Sequence, residues 1–318
     1  MTTQGSTTKI AIVGSGNVGT TFAYALLLSG LAAEILLIDN NQAKAEGEVM
    51  DLNHAVPLTY PTLIRSGTFS DTAGAAITVI TAGSAQKPGE TRLELGKNNT
   101  KIFKKIIPEI ARQNPDGIIL VATNPVDVLT FAAWKLSNLP SHRVIGSGTI
   151  LDTARFRHLL SRHFSVDARS VHAFIIGEHG DSEVPIWSLA NIAGMRLEAF
   201  SAMHGIEYNE GIRNDIFSQT RSAAYEIIRR KGATFYAVAV GLLRIVEAIL
   251  RDQKTVYSVS SLVENYYSIS NTYLSLPSVI GRNGVEFVLQ LQLDDSEGSA
   301  LRKSGEILQT AIKQLDLE

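Results

Sequence analysis

Short apolar runs alternate with longer runs of mixed apolar and polar residues in the first half of the chain. The apolar runs are KIAIVG, EILLID, AITVITA, GIILVAT and RVIGSG, at residues 9–14, 34–39, 76–82, 117–123 and 143–148. The first two precede helical patterns, NVGTTFAYALLLSG and NQAKAEGEVMDLNHA. This alternation predicts βαβ units. Because the apolar runs show no polar alternation, they predict parallel strands that are buried on both faces.

The pattern changes after residue 148. A helical run, TILDTARFRHLLSRHF, precedes a predicted strand, VHAFIIG, and two long helical stretches then cover about 209–252. Two β-like runs follow, TVYSVSSLV and VEFVLQLQL, and an amphipathic helix is expected over 299–315. No Pro-rich or Ser-rich linker divides the chain, so we expect an α/β protein whose two parts, 1–148 and 149–318, pack closely.

Composition narrows the class of partner. The formal net charge of −2 and the lack of a Lys/Arg block predict no binding to nucleic acid or to a membrane surface, which leaves small molecules. The chain has no Cys, which excludes disulfides and Cys-ligated metals and is compatible with a cytoplasmic protein. We expect no signal peptide in the short polar start and no membrane span, because Ser29, Gly30 and Glu34 interrupt the most apolar stretch.

A glycine-rich turn, GSGNVG, follows the first predicted strand. Gly14 suits a tight turn, Gly16 lets the backbone approach a pyrophosphate, and Gly19 lets the helix pack on the strand. Asp39 ends the second strand, at the separation expected for a carboxylate that binds the adenosine ribose. A plain glycine turn, and Asp39 as a helix N-cap, are the alternatives. Because Asp39 would face a 2′-phosphate, the pattern favours NAD over NADP.

Three residues in the second half and one strand end are candidates for chemistry. His179, in GEHGDSEVP, suits proton transfer near neutral pH, although a lone turn histidine is the simpler interpretation. Asp152 and Arg155 are three apart and share a helix face, either as a solvated ion pair or as an imidazole partner and a carboxylate-binding fork. Arg157 points away from Arg155. Asn124 follows a strand at the edge where such sheets bind ligands, or simply forms an Asn-Pro turn.

Six segments together carry a family resemblance: GSGNVG with the later Asp, QKPGETR, NPVDV, LDTARFR, GEHGDSEVP and KGAT. They closely resemble the lactate/malate dehydrogenase family from about residue 9 to the C-terminus. The resemblance implies an NAD-binding Rossmann domain with a doubly wound parallel sheet over 1–148 and a mixed α/β catalytic domain over 149–318. It also implies reversible hydride transfer between NADH and a 2-oxo acid, no metal, and a homotetramer in the cytoplasm.

The resemblance assigns roles residue by residue. His179 matches the proton donor and acceptor, Asp152 its partner, Arg155 the residue that holds the substrate carboxylate, and Arg92 the loop arginine that polarises the carbonyl. Two further positions match residues that contact the substrate, Asn124 and Thr234. The positions that match cofactor-binding residues are Gly14, Gly16, Val18, Gly19, Asp39, Gly83, Ser84, Asn124 and Ser147.

Gln86 distinguishes two substrates within the family. Malate dehydrogenases of this type resemble the same loop but have Arg at this position, because their substrate carries a second carboxylate. A neutral Gln would leave that charge unpaired, so pyruvate and lactate are favoured, although Lys87 next to it keeps malate as the alternative. The rest of the loop, Lys87 to Glu90, is typical of a mobile lid.

Arg157 and His172 match the positions that bind fructose 1,6-bisphosphate in allosteric bacterial members of the family. In an unbroken strand His172 and His179 would point to opposite faces, which fits an effector site away from the substrate. A plain cationic patch is the alternative.

Two functions from other classes are alternatives for the whole protein. An NAD-dependent glycosidase has a metal site that uses a Cys, which this chain lacks, and a non-catalytic NAD sensor would not need Arg92 and Arg155.

Overall fold

The computed structural model describes residues 8–84, 89–315 and 317. Its strands are β1 (Lys9–Val13), β2 (Glu34–Ile38), β3 (Leu63–Ser66), β4 (Ile77–Ile80), β5 (Ile118–Val121), β6 (Val144–Gly146), β7 (Val171–His172), β8 (Ile175–Ile176), β9 (Val184–Pro185), β10 (Asn191–Ile192), β11 (Met195–Arg196), β12 (Thr255–Val263), β13 (Thr272–Gly281) and β14 (Gly284–Val288). Its helices are α1 (Asn17–Ser29), α2 (Gln42–Ala55), α3 (Arg92–Gln113), α4 (Val126–Ser137), α5 (Ile150–Phe164), α6 (Leu197–His204), α7 (Glu210–Lys231), α8 (Tyr236–Leu250) and α9 (Asp295–Lys313).

The main sheet has the strand order β3-β2-β1-β4-β5-β6-β12-β13-β14. Strands β1 to β6 pair in parallel, and the order reverses on the two sides of β1, as in a doubly wound Rossmann sheet. Val13 pairs with both Ile38 and Ile80, so the carboxyl ends of β1, β2 and β4 lie side by side. The predicted α/β fold class is confirmed, and this edge of the sheet is where ligands bind in such folds.

The second half of the chain extends the same sheet rather than building a separate one. Strand β12 pairs with β6 through Ser260 and Gly146, and β13 and β14 continue the sheet in antiparallel fashion. A side chain at Gly146 would not fit, because a Cβ there would lie 2.4 Å from Oγ1 of Thr130 and 2.8 Å from Cβ of Ser260. The two halves are therefore joined by continuous backbone hydrogen bonding.

Apolar helix faces cover both sides of the parallel strands. On one side α1 and α8 bury Phe22 and Leu242, and on the other α3 and α4 bury Phe103 and Leu129. Burial of this kind supplies roughly 25 cal/mol for each Å² of apolar surface removed from water, which makes the sheet a rigid support for the loops at its edge. Within the described residues, no helix is both long and apolar enough to cross a membrane.

Two predicted segments differ from the structure, and one long strand was not predicted. The run VHAFIIG forms two short strands, β7 and β8, which belong to different sheets, so the expectation that His172 and His179 point oppositely along one strand is wrong. The run VEFVLQLQL is a strand only as far as Val288, because backbone groups of Leu289 and Leu291 bond the hydroxyls of two tyrosines instead. Strand β13 was not predicted at all.

Candidate active site

The glycine turn and Asp39 lie at the carboxyl edge of the sheet. Gly14 has a φ of +110°, and a Cβ there would lie 2.6 Å from the backbone nitrogen of Ala82. A Cβ at Gly19 would lie 1.9 Å from the carbonyl oxygen of Gly14, whereas nothing lies within 4 Å of a Cβ at Gly16. The turn is therefore tight at its ends and open in the middle, where α1 presents its N-terminal N–H groups.

Asp39 orders the loop that faces this turn. Its Oδ2 accepts the backbone N–H of Ser15 at 2.6 Å, and its Oδ1 accepts that of Asn41 at 2.8 Å. A cavity of about 1020 Å³ opens beside these residues. Of the predicted cofactor residues, those that line it are Gly14, Gly16, Asp39, Gly83 and Ser84. An open pyrophosphate turn with a carboxylate at the next strand end fits a dinucleotide.

The remaining predicted cofactor residues lie around the same edge. Val18 packs against the core below the turn, and Ser147 follows β6, where its N–H bonds the carbonyl of Val121. The carbonyl of Asn124 accepts Nδ2 of Asn99 at 2.8 Å, and Oδ1 of Asn99 accepts the N–H of Ser84 at 2.8 Å. Asn99 is fully buried and was missed in the sequence, although it ties a predicted cofactor residue to a predicted substrate residue.

His179, Asp152 and Arg155 form one hydrogen-bonded group. Nδ1 of His179 lies 2.5 Å from Oδ2 of Asp152, and Nη1 of Arg155 donates to Oδ1 of the same carboxylate at 2.8 Å. Because an ionised carboxylate only accepts, Nδ1 of His179 carries a hydrogen and Nε2 is left for other partners. The predicted helix-face pair of α5 is therefore buried beside the histidine: the Asp152 side chain is 4% exposed and that of Arg155 14%.

The charges of this group stabilise one another. Burial by itself raises the pKa of Asp152 and lowers that of His179. Their mutual attraction and hydrogen bond outweigh burial, so the pKa of Asp152 lies below its ordinary value and the pKa of His179 above. The imidazole is thereby biased towards its protonated form, which can act as a proton donor.

Glu183 is a buried carboxyl next to this group that the sequence analysis did not identify. It is 6% exposed, and its Oε1 makes no hydrogen bond to any residue that the structure describes. Burial is the largest cause, and repulsion from Asp152 the second, of a rise in the pKa of Glu183 to about 8. The positive charges of His179, Arg155 and Arg221 partly oppose this rise. Glu183 is therefore biased towards its protonated form, whereas Asp152 is biased towards its ionised form.

Arg92 is the first residue of α3 and contacts the main chain of the histidine loop. Its Nη1 donates to the carbonyl of His179 at 3.1 Å, and its Nε lies 3.7 Å from Oδ2 of Asp181. Tyr225 on α7 links to both, since it accepts from Arg92 at 3.4 Å and donates to Asp181 at 3.0 Å. The structure therefore brings Arg92 to the same loop as His179, but onto its backbone.

Thr234 and Gln86 are the two remaining predicted substrate residues. Thr234 lies half-buried in the short connection between α7 and α8. Gln86 lies outside the described residues. Among the residues that are described, no group of His, Asp and Glu is arranged to hold a metal ion.

Arg157 and His172 lie on the other side of α5. Nε of Arg157 donates to the carbonyl of Ala173 at 2.8 Å, and its guanidinium stacks on the ring of Phe174. Burial lowers the pKa of Arg157. His172 is exposed at the end of β7 and directly precedes Ala173, whose carbonyl accepts from Arg157.

The whole described chain is similar to lactate/malate dehydrogenases. The lactate/malate dehydrogenase NAD binding domain matches residues 8–146, and the alpha/beta C-terminal domain of the same family matches residues 149–317. L-lactate dehydrogenase from Acetivibrio thermocellus is 54% identical over 310 residues, which is 97% of this chain and 98% of that protein. L-lactate dehydrogenase from Clostridium botulinum strain Okra is 50% identical over 307 residues, or 96% of each.

This chain is also similar to solved structures of lactate dehydrogenases. The minor L-lactate dehydrogenase from Enterococcus mundtii, in a ligands-bound form, has a TM-score of 0.94 at 39% identity and covers 98% of this chain and 99% of its own. A lactate dehydrogenase from a Medee basin deep-sea metagenome library has a TM-score of 0.92 at 41% identity, with 96% and 98% covered.

Proposed function

The chain belongs to the lactate/malate dehydrogenase family, and from this membership we propose that it is an L-lactate dehydrogenase that reversibly reduces pyruvate to (S)-lactate with NADH. The observation that carries the proposal is the sharing of one buried carboxylate, Asp152, by His179 and Arg155. This arrangement places a proton source beside a cation that can bind a carboxylate, which are the two groups that reduction of a 2-oxo acid needs.

Each residue of the site has a distinct part in the proposed reaction. The guanidinium of Arg155 binds the pyruvate carboxylate, and Arg92 polarises the carbonyl when it leaves the His179 backbone. When bound, the nicotinamide supplies the hydride for pyruvate or accepts it from lactate. Nε2 of His179 gives its proton to the developing alkoxide, and Asp152 holds the imidazole in the required tautomer. Asn124 and Thr234 complete the pocket around the small substrate.

The preference for pyruvate over oxaloacetate rests on Gln86. A neutral amide offers no counter-charge for a second carboxylate, and an unpaired charge in a closed site costs several kcal/mol. The test is a paired assay of NADH absorbance with pyruvate and with oxaloacetate. Faster turnover of oxaloacetate would favour the malate dehydrogenase alternative, and no turnover of either substrate would contradict an oxidoreductase of this family.

NAD is the cofactor in this proposal because Asp39 faces the adenosine end of the cleft. Its two oxygens already accept backbone N–H groups, which fixes the carboxylate where a ribose 2′-hydroxyl can donate to it. A 2′-phosphate at that position would meet a negative charge. Titration of the protein with NADH and with NADPH tests the preference, and equal affinity would contradict it.

Activation by fructose 1,6-bisphosphate is part of the same proposal. Arg157 offers a guanidinium next to the residue that follows the exposed His172, whose imidazole can also contact phosphate. Among the described residues, the guanidinium of Arg157 donates through Nε to the Ala173 carbonyl, so its two terminal nitrogens remain able to face phosphate. Pyruvate saturation curves with and without the bisphosphate test the site, and identical curves would remove it from the proposal.

A homotetramer and a division of the chain at residues 148/149 complete the proposal. The neighbouring helices α1, α2 and α8 leave Leu28, Met50, Tyr236 and Val240 between 49% and 67% exposed, which is apolar surface that a second copy could cover. Sedimentation velocity at assay concentration tests the assembly, and a monomer would contradict it.

A cytoplasmic location, compatible with the absence of Cys, is tested by cell fractionation.

A further inference from the structure

The main chain of His179 is held on both sides by side chains from distant elements. Its N–H donates to Oδ2 of Asp127 at 2.7 Å, and its carbonyl accepts Nη1 of Arg92 at 3.1 Å. Arg92 is partly exposed at the end of a loop, whereas Asp127 is 2% exposed on α4. The fixed side of the histidine backbone is therefore the one that faces Asp127.

Asp127 directs both of its oxygens to other elements. It occupies the first turn of α4, where a carboxylate often serves only to cap its own helix or to balance the helix dipole. Here Oδ2 accepts the His179 N–H, and Oδ1 accepts the hydroxyl of Ser275 on β13 at 2.9 Å. Both contacts bind α4 to the loop that carries the histidine and to the strand behind it.

The same loop is anchored at the two residues before His179. The N–H and carbonyl of Gly177 pair with the carbonyl and N–H of Ser275 at 2.9 and 3.1 Å. The N–H of Glu178 donates to Oγ of Ser304 on α9 at 2.8 Å. Gly177, Glu178 and His179 are thus hydrogen-bonded to β13, α9 and α4, respectively. Asp127 on α4 holds His179, whose side chain contacts Asp152.

We propose that Asp127 is a positioning residue for the reaction: its carboxylate accepts the backbone N–H of His179 and so sets the imidazole against Asp152. The inference deepens the proposed lactate dehydrogenase activity and rests on it for its catalytic readout. Without this acceptor the partly buried His179 N–H loses its partner, and the loop shifts to find another. A shift of about 1 Å at the imidazole is enough to reduce a rate by roughly 100-fold.

The contribution of Asp127 is its hydrogen-bond geometry. Burial raises the pKa of Asp127, and the hydrogen bonds and charge that surround it only partly offset this. An Asn at this position keeps a carbonyl oxygen for the His179 N–H and an amide for Ser275, so it preserves the contacts without the charge. Asp127→Asn therefore removes the charge and keeps the hydrogen bonds, whereas Asp127→Ala removes both.

The test compares Asp127→Ala and Asp127→Asn with the wild type in two measurements, pyruvate reduction by NADH and hydrogen–deuterium exchange of a peptide that covers 177–183. For Asp127→Ala we expect kcat to fall roughly 10- to 100-fold, while the KM for pyruvate changes less than about threefold because Arg155 still binds the carboxylate. Exchange of the peptide should become faster. Asp127→Asn should stay within about threefold of wild type in kcat and show unchanged exchange.

Thr130→Val is the matched control, since Thr130 is buried in the same helix but its hydroxyl bonds only the carbonyl of Val126. It should leave kcat and exchange unchanged. If Asp127→Ala does not fold, Asp127→Ser replaces it, because its hydroxyl is one bond shorter than the carboxylate and cannot reach the His179 N–H.

The possible results separate the two proposals. Wild-type kcat and exchange in Asp127→Ala or Asp127→Ser would overturn the positioning role, and so would an Asp127→Asn enzyme as slow as Asp127→Ala. If the wild type does not reduce pyruvate, the proposed function fails, and the exchange comparison still decides whether Asp127 holds the His179 loop.

Discussion

Oδ2 of Asp152 lies 2.5 Å from Nδ1 of His179, although the two residues are 27 positions apart and come from a helix and a loop. The contact fixes the hydrogen on Nδ1, so that Nε2 is the nitrogen that exchanges a proton in the proposed reaction. It also holds the pKa of His179 above its ordinary value despite burial, which lowers it.

Asp152→Asn should slow pyruvate reduction about 100-fold or more and move its loss at high pH to lower pH. In the proposed reaction, reduction of pyruvate needs protonated His179, whose pKa is raised by Asp152 and falls when that charge is removed. The measurement is kcat/KM for pyruvate against pH in both proteins. Asp167→Asn, at an exposed ion pair with Arg169, is the control that should change nothing. An unshifted curve for Asp152→Asn would contradict the assignment.

Arg155→Lys should raise the KM for pyruvate by roughly 10- to 100-fold and leave NADH binding unchanged, because a lysine keeps the charge but not the two-pronged contact with a carboxylate. Steady-state kinetics and NADH fluorescence titration measure the two effects. Arg162→Lys lies exposed on the same helix and is the control. If the KM of both variants equals that of the wild type, Arg155 does not bind substrate.

Glu183→Gln should stabilise the protein relative to wild type by an amount that grows with pH. The pKa of Glu183 is raised from 4.5 to about 8, so between these values the unfolded chain releases a proton that the folded protein keeps. Wild-type stability therefore falls as pH rises through this window, and the Gln variant lacks that loss.

Thermal unfolding at pH 5 and pH 8 measures the difference for Glu183→Gln, which should increase by about 4 °C or more. Glu306→Gln, exposed on α9, should show no such trend. A constant difference between Glu183→Gln and wild type would mean that Glu183 is ionised at neutral pH.

Asp39→Asn should reduce the preference for NADH over NADPH by about tenfold, since hydrogen bonds to a charged group are worth more than those to a neutral one. The variant weakens the contact with a ribose 2′-hydroxyl and removes the charge that opposes a 2′-phosphate. The ratio of kcat/KM for the two cofactors is the measurement, with Asp51→Asn, exposed on α2, as the control. A preserved ratio would contradict a role for Asp39 in cofactor choice.

Some features of this protein follow from local sequence pattern. Strands β1, β2, β4, β5 and β6 were predicted because their apolar runs are continuous, and the pairing of Asp152 with Arg155 followed from their spacing on one helix. Strand β13 was not predicted because Pro277 lies in its middle and a proline argues against an interior strand. In the structure Pro277 still accepts, through its carbonyl, the N–H of Leu289.

The sequence by itself predicted the doubly wound sheet and the glycine turn with Asp39, and its family resemblance indicated His179, Asp152 and Arg155 as the group proposed to react. Only the tertiary structure decided what holds that group in place. Asp127 lies 52 positions from His179 and 148 from Ser275, so no local period relates them. Helix and strand periods act over a few residues, whereas the partner of a buried polar group is chosen by whichever distant element the folded chain brings within hydrogen-bonding distance.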